Sequence, residues 1–247
     1  MTNETWKVTF QVFRKKGEEQ GHLERFELEV SPDEYVLDGI ERIWAYQDRS
    51  LSFRHACHHS TCGACGMRVN GVEKLTCITP IRDVTEDGGI VRVEPLRNFP
   101  LVSDLVVDMS SFYVHMEQTG FPAVAPLNKV PDAAGSGIKP AEKAPDDIER
   151  LVDCIECGLC ISACPIVGTD RAYVGPAVLA AIHHQAAAGE TAVLRLADHS
   201  EGAWRCHSAF ECSEVCPAFV DPAARIMQVR KMLVGQGFKR LFAREER

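Results

Sequence analysis

The chain has 247 residues, with 27 Lys and Arg against 35 Asp and Glu, a formal net charge of -8 at pH 7. That balance argues against nucleic acid as the main partner, because such binding rests on cationic contacts to phosphate. The length suffices for two ordinary domains, yet no stretch approaches the ~20 apolar residues of a membrane helix, and the opening MTNETWKVTF shows neither the basic nor the apolar region of an export signal.

Trp6 to Phe13 (WKVTFQVF) and Phe26 to Val30 (FELEV) alternate apolar and polar residues, so each reads as a half-buried strand. The polar, Gly-containing KKGEEQGH between them makes the pair a hairpin. SPDE then predicts a helix start, with Ser31 as N-cap, Pro32 at the first helical position and Glu34 at the third. Val36, Leu37, Ile40, Ile43 and Trp44 follow at helical spacing and form an apolar face for that sheet. GMRVNGVE places the Asn70-Gly71 turn signal between short apolar runs, and IVRVEP alternates again, giving a second hairpin and a closing strand. The first hundred residues are therefore α+β. From about 121 to 147 the chain is rich in Pro, Ala, Gly and charge without periodicity and reads as an extended connection. Beyond it DDIERLVDC, GPAVLAAIHHQAAA and PAARIMQVRKMLVG are helical by composition and spacing, so the second half reads as all-α.

Eleven cysteines without an export signal are expected to stay reduced, which favours metal ligation over disulfides; an odd number also suits disulfides poorly. Cys57, Cys62 and Cys65 are spaced C-x4-C-x2-C, with Cys77 further on, the spacing by which plant-type ferredoxins hold a 2Fe-2S cluster. Gly63 and Gly66 beside these ligands are expected to let backbone amides approach the sulfurs. Zinc also takes four cysteines, but the spacing on an α+β background favours iron-sulfur. His58 and His59 suggest a Rieske centre, yet four cysteines already fill the site, so they read as loop histidines.

CIECGLCISACP, from Cys154, is the C-x2-C-x2-C-x3-C-P run of bacterial ferredoxins, whose fourth cysteine ligates the other cluster of a pair. CHSAFECSEVCP, from Cys206, follows the same template, with Ala209 where the second cysteine belongs. Applying the exchange of last cysteines, Cys154, Cys157, Cys160 and Cys216 form a set for 4Fe-4S. Cys164, Cys206 and Cys212 remain, and with no ligand from Ala209 they suit a 3Fe-4S cluster. Inert buried thiols are the bland alternative, but all eleven cysteines divide without remainder. Fewer thiolates around the third cluster raise its reduction potential, so electrons should finish there.

With FRHAC, CGAC, CIECGLCISACP, VGPA, RCHSAFECSEVCP and Ala209 in this order, nearly the whole chain resembles the iron-sulfur subunit of succinate dehydrogenase or fumarate reductase, the complex II family. The resemblance implies a β-grasp plant-type ferredoxin domain at 1–108 and an all-α, bacterial-ferredoxin-like domain at 109–247. It implies a flavoprotein partner whose FAD oxidises succinate to fumarate, and passage of electrons through 2Fe-2S, 4Fe-4S and 3Fe-4S to a quinone held near membrane-anchor subunits. Pro165 and His207 match the family's quinone-pocket positions, and Arg230 or Lys231 fills the place of a basic residue there. PIVGTDRAYVG lacks the Trp that many members carry beyond the proline. The absence of a transit peptide suggests a peripheral subunit on the cytoplasmic face of a bacterial inner membrane.

Arg225, Arg230, Lys231, Lys239, Arg240, Arg244 and Arg247 make the last helix basic. It suits either anionic headgroups and anchor loops or an ordinary solvated face. His183, His184 and His199 read as surface or packing residues rather than haem ligands. Every motif ligates a cluster and none supplies a nucleophile or acid-base pair, so the chain reads as an electron-transfer subunit with no substrate chemistry of its own. Either direction, succinate oxidation or fumarate reduction, suits the same wire. A free-standing ferredoxin-like carrier and the cluster subunit of a heterodisulfide-reductase-like complex are the competing classes; in the latter both cysteine runs are more often complete.

Overall fold

The computed structural model describes residues 4–120 and 154–242. The connection read at 121–147 and the helix read over DDIERLVD lie outside the described residues, as do Arg244 and Arg247.

The alternating runs form strands β1 (Trp6–Arg14) and β2 (His22–Val30), paired antiparallel with Phe10 opposite Phe26. Their period of two puts Val8, Phe10, Val12, Phe26, Leu28 and Val30 into one core. Helix α1 (Val36–Tyr46) buries Val36, Leu37, Ile40 and Ile43. Gly39 lets it settle, because a Cβ there would stand 2.4 Å from the Phe10 ring. Trp44, at the rim of this face, stays partly exposed and meets Phe53 edge-on.

The helix does not start where SPDE predicts. Its N-cap is Tyr35, whose amide donates to Asp38 at 2.9 Å, and residues 32–34 form a turn. The reason is tertiary. The carbonyls of Pro32 and Glu34 accept from the amides of Arg82 and Ile81, and Val36 donates to the Thr79 carbonyl, so a neighbouring segment takes the groups that a first helical turn would use.

Asn70 and Gly71 take positive φ between β3 (Gly66–Val69) and β4 (Val72–Leu75), as a tight hairpin requires. Strand β5 (Ile90–Glu94) inserts into the middle of the sheet, parallel to β1 and antiparallel to β3, giving the order β2-β1-β5-β3-β4. This is the β-rich first half of an α+β chain. A ribbon of β6 (Leu101–Ser103) and β7 (Val106–Val107) follows, too short for any alternation to reveal.

Among the described residues no strand follows Val107. The helices are α2 (Ser110–Gln118), α3 (Leu159–Ala163), α4 (Pro165–Thr169), α5 (Pro176–Ala187), α6 (Glu211–Glu214) and α7 (Pro222–Phe242). Helix α5 is buried from Pro176 to His183, so it lies at the centre and α2 and α7 pack around it. No helix among the described residues is long and apolar enough to cross a membrane.

A polar clamp joins the halves. The buried Glu73 accepts from Ser162 Oγ at 2.8 Å and pairs with Arg97. The Asn98 side-chain amide donates to the carbonyls of Ile161, Ser162 and Cys164 at 2.8, 3.0 and 3.0 Å. The Ile161 and Cys164 carbonyls also accept from the amides of Cys164 and Gly168, so Asn98 adds a second donor at the end of α3 and ties it to the first half.

Candidate metal centres

The second hairpin assembles the first thiol group. Its register pairs Gly66 with Leu75, so Cys65, just before β3, comes level with Thr76 and Cys77 just after β4. The Thr76 amide and hydroxyl both donate to the Cys65 carbonyl, at 3.2 and 3.0 Å. Cys57 and Cys62 arrive on the loop from the other side. His58 and Ser60 adopt left-handed φ of 61° and 58°, which turns successive amides inward. The amides of His59, Thr61 and Cys62 reach Cys57 Sγ at 3.5, 3.3 and 3.4 Å. The His59 amide above all, with those of Cys62 and Thr61, holds the Cys57 thiol down to about 6. Burial instead pushes Cys77 up to about 12, helped by the neighbouring Cys65.

The amide of Gly66 donates to the Gly63 carbonyl, and both glycines chiefly provide close approach to the second half. A Cβ on Gly63 (φ +70°) would lie 2.8 Å from Cys157 Cβ and 2.8 Å from the Ile155 carbonyl. Cys62, Gly63, Gly66 and Cys157 line one cavity, so a single glycine backbone separates the first thiol group from the second. His58 Nε2 faces Glu41 and His55, and His59 Nδ1 meets the Cys57 carbonyl. Neither imidazole turns toward the thiols.

In the helical half, α3 and α6 each carry two cysteines one turn apart. Cys160 and Cys164 lie at and just after α3, and Cys212 and Cys216 at and just after α6. A four-residue step moves along the helix rather than around it, so each pair reaches two successive positions. Cys154, Cys157, Cys160 and Cys216 line one cavity. Cys164, Cys206 and Cys212 line another, with Pro165, Tyr173, His207 and Ala209. Burial pushes Cys154 up to about 11, Cys157 and Cys212 up to about 12, and Cys160 and Cys164 upward as well. The amides of Ser208 and Val220 point at Cys206 and Cys216 sulfur, both at 3.4 Å.

These donor sets suit iron-sulfur chemistry. Soft sulfur atoms line the second and third cavities in groups of four and three, backbone N–H groups point at Cys57, Cys206 and Cys216 sulfur, and the His58 and His59 rings are turned away from the first thiol group. Deeply set thiols with raised proton affinity must also lose protons when metal binds.

Pro165 and His207 stand at the mouth of the third cavity, both exposed. Arg230 does not line it; its guanidinium donates to the carbonyls of Ala203, Trp204 and Cys206, and so holds the approach to Cys206. Lys231 is exposed. His183 is buried within α5, where desolvation, then Arg225, lowers it to about 4, and His199 lies at the surface beside Glu201. Tyr173 was not among the residues that motif spacing indicates. Its ring is buried, and its hydroxyl, whose proton affinity burial pushes well up, lies beside Cys206, with Cys164 and Cys212 nearby. Asn98 lies outside every cysteine run, so motif spacing does not indicate it either.

Residues 9–114 match the family described as a 2Fe-2S iron-sulfur cluster binding domain, and residues 150–220 match a 4Fe-4S dicluster domain. The chain is 35% identical over 239 residues to a fumarate reductase iron-sulfur subunit of Mycobacterium tuberculosis, covering 93% of both. It is 31% identical over 238 residues to a mitochondrial succinate dehydrogenase [ubiquinone] iron-sulfur subunit of Dictyostelium discoideum, covering 92% of this chain and 82% of that one. A chain in the apo Sdh1 complex of Mycobacterium smegmatis superposes with a TM-score of 0.78 at 26% identity, covering 95% of this chain and 98% of that chain.

Proposed function

This chain belongs to the iron-sulfur subunits of the succinate dehydrogenase and fumarate reductase family, and on that premise we propose that it is the wire of a succinate:quinone oxidoreductase. It takes electrons from a flavoprotein partner carrying FAD and delivers them to a quinone beside membrane-anchor subunits. The observation that supports this reading most is that Cys154, Cys157, Cys160 and Cys216 line one cavity and Cys164, Cys206 and Cys212 line another, beside Pro165 and His207. Bound clusters supply one-electron steps, and the protein sets their potentials through charge, hydrogen bonds to sulfur and burial.

Cys57, Cys62, Cys65 and Cys77 hold 2Fe-2S. Cys154, Cys157, Cys160 and Cys216 hold 4Fe-4S. Cys164, Cys206 and Cys212 hold 3Fe-4S, because Ala209 offers no ligand at the remaining corner. Gly63 keeps the first two groups in contact, and Asn98 anchors the backbone at Cys164. Pro165 and His207 border the quinone, while Arg230 shapes that border through the Cys206 carbonyl. The chain divides at 108/109, and as a peripheral subunit it sits on the cytoplasmic face of a bacterial inner membrane. A quinol:fumarate reductase, with electrons running the other way, is the second reading; relatives at 34–36% identity named fumarate reductase subunits favour it.

Low-temperature EPR of the anaerobically purified, fully oxidised complex tests the assignment, since oxidised 2Fe-2S and 4Fe-4S centres are silent and oxidised 3Fe-4S is not. The expected result is a narrow signal of about one spin per chain, removed by succinate only through the flavoprotein. A silent oxidised sample overturns the 3Fe-4S assignment.

A further inference from the structure

Beside the first thiol group, but facing away from it, three donor atoms meet at the surface. Glu41 Oε1, on α1, lies 3.0 Å from His55 Nδ1 and 3.2 Å from His58 Nε2, and the two ring nitrogens are 3.2 Å apart. All three atoms lie within 4.8 Å of one another. Ligands bonded at about 2.0–2.1 Å to a tetrahedral zinc ion stand about 3.3 Å from each other, so this triangle has nearly the edges of one face of such a site.

Proton counting leaves the bare triangle incomplete. The two facing nitrogens carry at most one proton each, so with Glu41 ionised at most two of the three edges can be hydrogen bonds. Glu41 Oε1 is moreover buried and makes no well-formed hydrogen bond. A cation at the centre would satisfy all three donors at once. The ligands are also held in place. Phe53 stacks on His55 at 5.1 Å with an interplanar angle of 17°, and His58 is turned toward Glu41 by a backbone with φ of 61°.

We propose that Glu41, His55 and His58 bind one divalent transition-metal ion of the zinc class, with water completing its coordination. Two imidazoles and a carboxylate are a recurrent zinc ligand set, and the exposed histidine rings leave the outer position open to solvent. The site shares no ligand with the eleven cysteines and so stands independently of the cluster assignment.

The test uses the full chain purified with its iron and cleared of loose metal by a mild chelator. It is dialysed against Zn²⁺, and zinc and iron are counted by mass spectrometry. Saturable uptake of about one zinc per chain with iron unchanged is expected, weakened at least ~10-fold in Glu41→Gln and in His55→Gln. His199→Asn, whose ring lies at the surface beside Glu201, should bind as the parent does. Zinc uptake equal in all variants, no saturable uptake, or zinc taken up only as iron is lost would each overturn the site. Because the readout counts zinc, a normal 2Fe-2S signal without zinc uptake rejects this inference and leaves the proposed function standing.

Discussion

Cys57 and Cys160 hold the same kind of sulfur in opposite surroundings. Cys57 sits near the surface on a loop whose amides are free to point inward, and its thiol is held down to about 6. Cys160, half-buried like Cys57, lies on α3 among other thiols, where desolvation pushes its proton affinity well up. A loop with alternating left-handed residues can aim several N–H groups at one atom. A helix commits most of its amides to its own carbonyls and can offer only position and burial. Hydrogen bonds therefore dominate at Cys57 and desolvation at Cys160, although Cys77 in the β-rich half is also pushed up by burial.

The most severe break in this comparison is at the proposed ligands. Under the proposed assignment Cys160→Ser should abolish the 4Fe-4S cluster and lower the thermal stability of the helical half, because a hydroxyl replaces a ligand within a packed core. Cys62→Ser, at the exposed rim, should keep a weakened 2Fe-2S cluster. Iron content and EPR of the two variants check this, and equal loss in both would refute the contrast.

Gly63→Ala strikes the seam between the halves. An alanine at φ +70°, 2.8 Å from backbone and Cβ atoms of the Ile155–Cys157 segment, should destabilise by about 2 kcal/mol and slow electron passage between the first two clusters. Unfolding melts and rapid-freeze EPR would show it. An unaltered melt would mean that the halves can separate without penalty.

A gentler test is pH. A thiol releases a proton on metal binding only below its metal-free pKa, so above about pH 6 Cys57 releases none, whereas Cys154, Cys157 and Cys160 each still release one. Iron retention should rise with pH in both halves. It should rise more steeply in the helical half, by about tenfold per pH unit for each further proton released. Chelator competition between pH 6.5 and 8 is the measurement, and parallel slopes would count against the contrast.

The smallest expected effect is at Tyr173. Within the proposed assignment its hydroxyl is a donor aimed at the Cys164, Cys206 and Cys212 group, so Tyr173→Phe should lower the potential of the third cluster. The shift should correspond to about 1 kcal/mol, one hydrogen bond. An EPR-monitored redox titration reads it directly.

Much of this arrangement was legible in the chain because cysteine runs and strand alternation are patterns of local spacing. The runs at Cys57, Cys154 and Cys206, the Asn70-Gly71 turn and the alternation in β1, β2 and β5 all lie within a few residues of what they predict. Ser31 misled because the groups of residues 32–36 bond to residues 79–82, which are distant in the chain. Gly63 suggested amides at sulfur for a related reason: its partner, Cys157, belongs to the other half of the molecule.

By itself the sequence determined the strand-rich and helical characters of the halves and the local spacing of the cysteines, since these depend on neighbours along the chain. Only the tertiary structure decided that β5 enters the centre of its sheet, that Asn98 clamps the carbonyl of Cys164, and that Glu41 meets His55 and His58. Each joins residues far apart in sequence, and which such groups meet is settled by packing and by the need of every buried polar group for a partner.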